Sequence, residues 1–258
     1  MTSGRRRGCL RGLPVTIEMR DVGLDGPEGL VPVRIFAPSE PRGGLIVYMD
    51  AFGVRPELDG MCRDWASQGY ITFLPDLYWR QGRLRFPVPG GPHEPLHPAM
   101  VKANLATTMD MTVADTRAIL DRFGGTGPGL VSRFGAIGYC MGARHALAAA
   151  AAWPDAIRFA ACLHGGRMVW DGPDSPHLLI PKVKGSLYLA FATDDETCPD
   201  NHQALLRETL AASGVRGEAE RVAAGHGWMF PDRWCWDEAV AGAVKTKILG
   251  VLASEVAA

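Results

Sequence analysis

Hydrophobic positions change period repeatedly along the chain, and each change marks an element. Val15–Met19 and Val31–Phe36 flank a Gly/Pro/Asp-rich segment, which predicts two antiparallel strands joined by a turn. Leu45–Met49 is a continuous apolar run behind Gly43-Gly44, the pattern of a parallel strand buried on both faces. Pro56 opens a helix that runs through Gln68 and stops at Gly69. Tyr70–Leu74 reads as the next strand, halted by Pro75. Farther on, Met100–Phe123 has one long helical pattern. Ser132–Gly138 (strand), Met141–Ala152 (helix), Phe159–His164 (strand) and Leu187–Ala192 (strand) follow. Asn201–Ser213 is a predicted helix, Gly217–Val222 a short strand and Trp236–Ala253 a closing helix. Between these, residues 76–99 carry Pro87, Pro89, Pro92, Pro95 and Pro98 and form a long loop, of a length that usually serves function.

Strands alternating with helices predict an α/β fold, a mostly parallel central sheet with helices on both faces. In such sheets ligands bind beyond the carboxyl ends of the strands. Composition narrows the classes. The 258 residues are 47% hydrophobic and 21% charged, with net charge −1, which excludes a disordered chain and gives no basic footprint for nucleic acid or an anionic membrane. No apolar run reaches the ~18 residues of a membrane helix. The basic residues at the N-terminus precede no apolar stretch, so no secretory signal is read and a cytoplasmic location is expected. Residues 1–14 read as a disordered tail and 15–258 as one domain, monomeric or homodimeric. The six cysteines are scattered without a C-x-x-C pair, which argues against a disulfide framework or structural zinc. His93 and His97 have metal-like spacing, but Pro95 between them and the flanking Pro92 and Pro98 forbid one helical face. Neither a metal nor a cofactor is expected.

Four predicted strand ends carry chemistry. Gly138-Tyr-Cys140-Met-Gly142 lies between a strand and a helix and matches a nucleophile elbow with sulfur in place of oxygen. The helix beginning at Met141 would stabilise a thiolate at Cys140, and the Met141 N–H would face a developing oxyanion. A second strand end offers Asp194, Asp195 and Glu196; a third places His226 in a Gly-flanked loop before the last helix. Nucleophile, acid, then histidine is the chain order of the α/β-hydrolase arrangement. The fourth, Met49-Asp50-Ala51-Phe52-Gly53, supplies the Ala51 N–H as second oxyanion donor, with Asp50 near Cys140.

In these segments the chain resembles the dienelactone hydrolases, the carboxymethylenebutenolidase-like proteins. The resemblance rests on Asp50-Ala-Phe-Gly-Val54, Gln68-Gly-Tyr-Ile71, Leu74-Pro-Asp-Leu-Tyr78 with Arg80-Gln81, Gly138-Tyr-Cys-Met-Gly142, Thr193-Asp-Asp-Glu-Thr-Cys-Pro199 and Gly225-His-Gly-Trp228. It implies an α/β-hydrolase fold and a Cys140–His226–Asp195 triad, the acid standing four residues before Pro199. It implies hydrolysis of small esters or lactones through an acyl-thioester. Acyl transfer to another acceptor and non-catalytic binding of a small molecule are the competing readings. The family commonly has Glu, thought to hold the resting thiol, where Asp50 stands. Asp50 is therefore expected to gate the thiol. Substrate contacts are expected from Phe52, Tyr78, Arg80, Arg85, Trp228 and Phe230. Phe230 occupies a position where the family has a carboxylate-binding Arg, so neutral substrates should be accepted at least as well as carboxylated ones.

Overall fold

Gly26 and Gly29 face each other across a two-residue turn and close a hairpin between β1 (Ile17–Gly26) and β2 (Gly29–Pro38). The structure, a computed structural model, describes residues 16–257. The expected tail, residues 1–14, lies outside the described residues, as does Val15. β2 then pairs antiparallel with β4 (Tyr70–Pro75), and from there the sheet is parallel. β3 (Gly43–Tyr48), β5 (Phe134–Tyr139), β6 (Ile157–Leu163), β7 (Ser186–Phe191) and β8 (Gly217–Arg221) complete eight strands in the order β1-β2-β4-β3-β5-β6-β7-β8. This is the expected α/β class, a mostly parallel sheet of α/β-hydrolase type. β3, β4, β5 and β7 are buried along their whole length, as continuous apolar runs require when helices cover both faces.

α1 (Pro56–Ser67) and α6 (Glu238–Glu255) share one face, where Lys245 bonds Asp64. α4 (Met141–Ala152) packs on β5 and β6 from the other face, with α3 (Met109–Phe123) against it. α5 (Asp200–Ser213) ends at Gly214, whose φ of 74° is the left-handed stop glycine provides cheaply.

The single helix expected over Met100–Phe123 is two, α2 (Pro98–Ala106) and α3. Thr107 is extended; its hydroxyl bonds back to Ala103 O at 2.9 Å and receives Gln81 Nε2 at 2.9 Å. Thr108 then caps α3, accepting the Met111 N–H at 3.3 Å. Adjacent threonines offer the backbone an alternative to the helix, and the loop's Gln81 makes the break favourable. A short 3₁₀ segment at Pro176–Lys182 was not legible in the pattern.

Candidate active site

The connections leaving β3 and β5 go opposite ways, β3 through α1 to β4 and β5 through α4 to β6. Such a reversal opens a crevice at the carboxyl ends of the two strands. Asp50–Phe52 follow β3 and Cys140 follows β5 at this crevice.

Cys140 has φ 52° and ψ −112°, the strained turn of a nucleophile elbow. Only glycine fits on either side: a Cβ at Gly138 would overlap the Gly142 carbonyl, and one at Gly142 the Tyr48 carbonyl. His164, Arg167 and Asp194 also have positive φ, each at a neighbouring strand end, so backbone strain gathers around this crevice.

His226 Nδ1 lies 2.7 Å from Asp195 Oδ2. The other Asp195 oxygen accepts the Thr197 N–H at 2.9 Å and the Thr197 hydroxyl at 2.6 Å. Asp194, the neighbouring candidate acid, is exposed and faces Arg221 and not the ring. Burial pushes the Asp195 carboxyl up, but the His226 and Thr197 donors outweigh it and hold it below the ordinary range. The remaining ring nitrogen, His226 Nε2, is buried with no acceptor. Cys140 is close enough for the two side chains to bias each other. Burial opposes charge on both, yet the pair favours thiolate and imidazolium: Cys140 is lowered and His226 is raised to about 10. His164, buried and held neutral by burial and by the His226 charge, packs edge-on against the His226 ring at 5.3 Å.

The two candidate oxyanion donors converge through one tyrosine. The buried Tyr78 hydroxyl bonds Ala51 O at 2.9 Å and touches Met141 Sδ at 3.5 Å. Met141 is the first residue of α4, so its N–H has no acceptor within the helix.

Asp50 is placed differently from the expected thiol gate. Its oxygens are held by Arg55 at 2.7 and 3.0 Å, by Arg233 at 3.1 Å and by the Phe52 N–H at 3.1 Å. No oxygen is left to accept the Cys140 S–H, and the like-charge influence of Asp50 on the thiol ranks below that of Arg233, which acts the opposite way.

A pocket of about 240 Å³ opens over Cys140, walled by Ala51, Phe52, Met141, His226 and Arg233. Of the expected substrate contacts, Phe52 alone lines it. Tyr78 lies beneath the two candidate oxyanion donors. Arg80 is turned away, bridging Asp115 and Glu28 and stacked on Trp79. Arg85 is partly exposed beside Asp76. Trp228 and Phe230 are fully buried around His164, where aromatic rings gain more from packing than from a solvated pocket. The pocket is nonetheless not poor in arginine: Arg144, Arg167 and Arg233 line it. Arg144 was missed, although an Arg-His pair inside the otherwise apolar Met141–Ala152 helix is the signal that could have found it. Among the described residues no group of three or more His, Cys, Asp or Glu side chains could hold a metal ion, and His97 instead caps α2.

The dienelactone hydrolase family profile matches residues 31–253. The chain belongs to the dienelactone hydrolase family. A carboxymethylenebutenolidase-type protein of Azospirillum brasilense is 33% identical over 66 residues, 24% of this chain and 29% of that protein. One from Escherichia coli strain K12 is 23% identical over 195 residues, covering 73% of this chain and 69% of the other. The crystal structure of a dienelactone hydrolase-type protein from Klebsiella pneumoniae superposes with a TM-score of 0.79 at 22% identity, covering 92% of this chain and 99% of that one. For this member of the family no helix among the described residues is long and apolar enough to cross a membrane.

Proposed function

We propose that this protein is a cysteine-dependent hydrolase of small esters or lactones, with Cys140, His226 and Asp195 as its triad. The observation that carries the reading is the 2.7 Å His226–Asp195 contact beside a cysteine in an elbow turn. The Cys140 thiolate attacks the carbonyl carbon, and the carbonyl π pair moves onto oxygen. Ala51 and Met141 N–H groups hold that oxyanion. When the tetrahedral adduct collapses, the C–O bond breaks and the alkoxide takes the proton from His226 Nε2, leaving a thioester. The neutral imidazole then removes a proton from water, and the hydroxide adds to the thioester. Collapse breaks the C–S bond and releases the acid, restoring thiolate and imidazolium. Asp195 fixes the ring orientation and stabilises the imidazolium throughout.

The purified protein, given a panel of 4-nitrophenyl esters and small lactones, should turn over at least one, with a covalent acyl adduct on the Cys140 peptide by mass spectrometry. Cys140→Ala should lose turnover to background. Retained turnover in Cys140→Ala, with no adduct in the wild type, would overturn the cysteine mechanism.

A further inference from the structure

Arg144 is a buried guanidinium with no acid beside it. It sits one turn into α4, 5% exposed, and its hydrogen bonds go to Asn104 O at 3.2 Å and Asn104 Oδ1 at 2.6 Å. Among the described residues neither Arg144 nor Arg167 has a carboxylate within 4 Å. Burial pulls Arg144 down to about 10, with the Cys140 thiolate opposing and like-charged Arg167 adding to the fall, so it remains cationic at neutral pH. A buried charge with no carboxylate paired to it is costly, and a ligand anion lowers the cost.

The position of the pair says more. Arg144, Arg167 and Asn104 line the pocket over Cys140, and they also line a second cavity of about 220 Å³ beneath the α2–α3 break. Leu105, Thr107, Thr108 and Trp170 wall that second cavity, with Asp174 tied to the Trp170 Nε1–H at 2.9 Å. Arg167 reaches the boundary from a strained loop position, φ 53°, its N–H fixed by Thr197 O at 3.0 Å. The two arginines thus form the partition between a reaction pocket and an extension.

We propose that Arg144 and Arg167 are a subsite for an oxyanionic group, carboxylate or phosphonate-like, and that substrates carry a further polar substituent at that group, seated in the second cavity. The proposal rests on the hydrolase reading for its kinetics and not for its binding. The guanidinium fork favours paired oxygens, and the Thr108 hydroxyl, an acceptor toward the Met111 N–H, can donate to an amide or hydroxyl beyond them.

Three measurements test it. The first compares kcat/KM for the 4-nitrophenyl half-ester of glutaric acid with that for neutral 4-nitrophenyl pentanoate. Arg144→Met and the exposed Arg167→Gln should each lower the anionic-to-neutral ratio roughly 10- to 100-fold, the span of a charged hydrogen bond, with KM carrying most of the change. Arg144→Lys should restore part of the ratio. A ratio unmoved in both Met and Gln variants overturns the subsite. The second is calorimetry on Cys140→Ala with glutarate and with phenylphosphonate, which separates the two anion types. Binding of either that is lost in Cys140→Ala/Arg144→Met supports the subsite even if no ester is turned over; no binding of either overturns it. The third compares the glutarate half-ester with the γ-(4-nitrophenyl) ester of N-acetylglutamate, which adds an acetamido group at the carboxylate-bearing carbon. Leu105→Trp, which fills the second cavity, should penalise the acetamido substrate selectively, and an equal effect on both overturns the extension.

Discussion

At Cys140 burial and the neighbouring charges pull the thiol in opposite directions. Burial raises it, while the His226 charge and Arg233 lower it, and the sum is a lowered thiol. The thiolate fraction at neutral pH therefore exceeds that of an ordinary cysteine, whose pKa is about 8.5. Alkylation of Cys140 by iodoacetamide should be fast at pH 7 and fall as pH drops through the lowered thiol value. His226→Asn removes the cation and leaves the burial, so the thiol then rises; the rate at pH 7 should drop by about tenfold or more and recover only at alkaline pH. An unchanged profile, read on the Cys140 peptide, would show that His226 does not set the thiol. Tyr78 gives a second residue-scale test. Its hydroxyl holds the Ala51 carbonyl and not a substrate. Tyr78→Phe should lower kcat by up to about tenfold, the worth of one hydrogen bond, and leave KM nearly unchanged. A rise in KM alone would return Tyr78 to the substrate contacts expected from the sequence.

At the scale of elements, the break between α2 and α3 shapes the crevice. Thr108 caps α3 while Thr107 is held by Gln81 from the loop after β4. Thr108→Ala should cost about 1 kcal/mol in urea unfolding, the usual worth of a cap. A loss below a few tenths would mean that the Gln81 contact alone maintains the break. The 76–99 loop also shows why a run of prolines and arginines misleads: Arg80 stacks on Trp79 and pairs with Asp115, anchoring the loop to α3.

For the whole molecule, the ion network under the site ties together loops distant in sequence. Asp50 after β3 meets Arg55 at the start of α1 and Arg233 before α6, and Arg55 also holds Asp232 at 2.7 Å. Asp50 is fully buried and Arg233 is 9% exposed. Removing one partner of such a buried cluster leaves an uncompensated charge. Asp50→Ala should therefore destabilise the protein by about 3–5 kcal/mol, and Asp50→Ala/Arg233→Met by less. A loss under about 1 kcal/mol for Asp50→Ala would mean that water reaches the cluster freely.

The alternation of apolar runs with helical periods was enough to predict the sheet class, because continuous burial of β3, β5 and β7 requires uninterrupted apolar stretches. The elbow was equally legible: Gly138 and Gly142 stand where a Cβ would strike backbone, a constraint written locally in five residues. What tertiary structure decided was direction. Whether Trp228 and Phe230 enter the pocket or the core, whether Asp50 faces a thiol or two arginines, and which of many arginines line the pocket all depend on side chains separated by scores of residues. Arg144 and Arg167 reach one partition only because α4 starts, and β6 ends, at the same edge of the sheet. Periodicity and turn chemistry act over a few residues, whereas burial and charge pairing act through space, so the former could be read along the chain and the latter needed the fold.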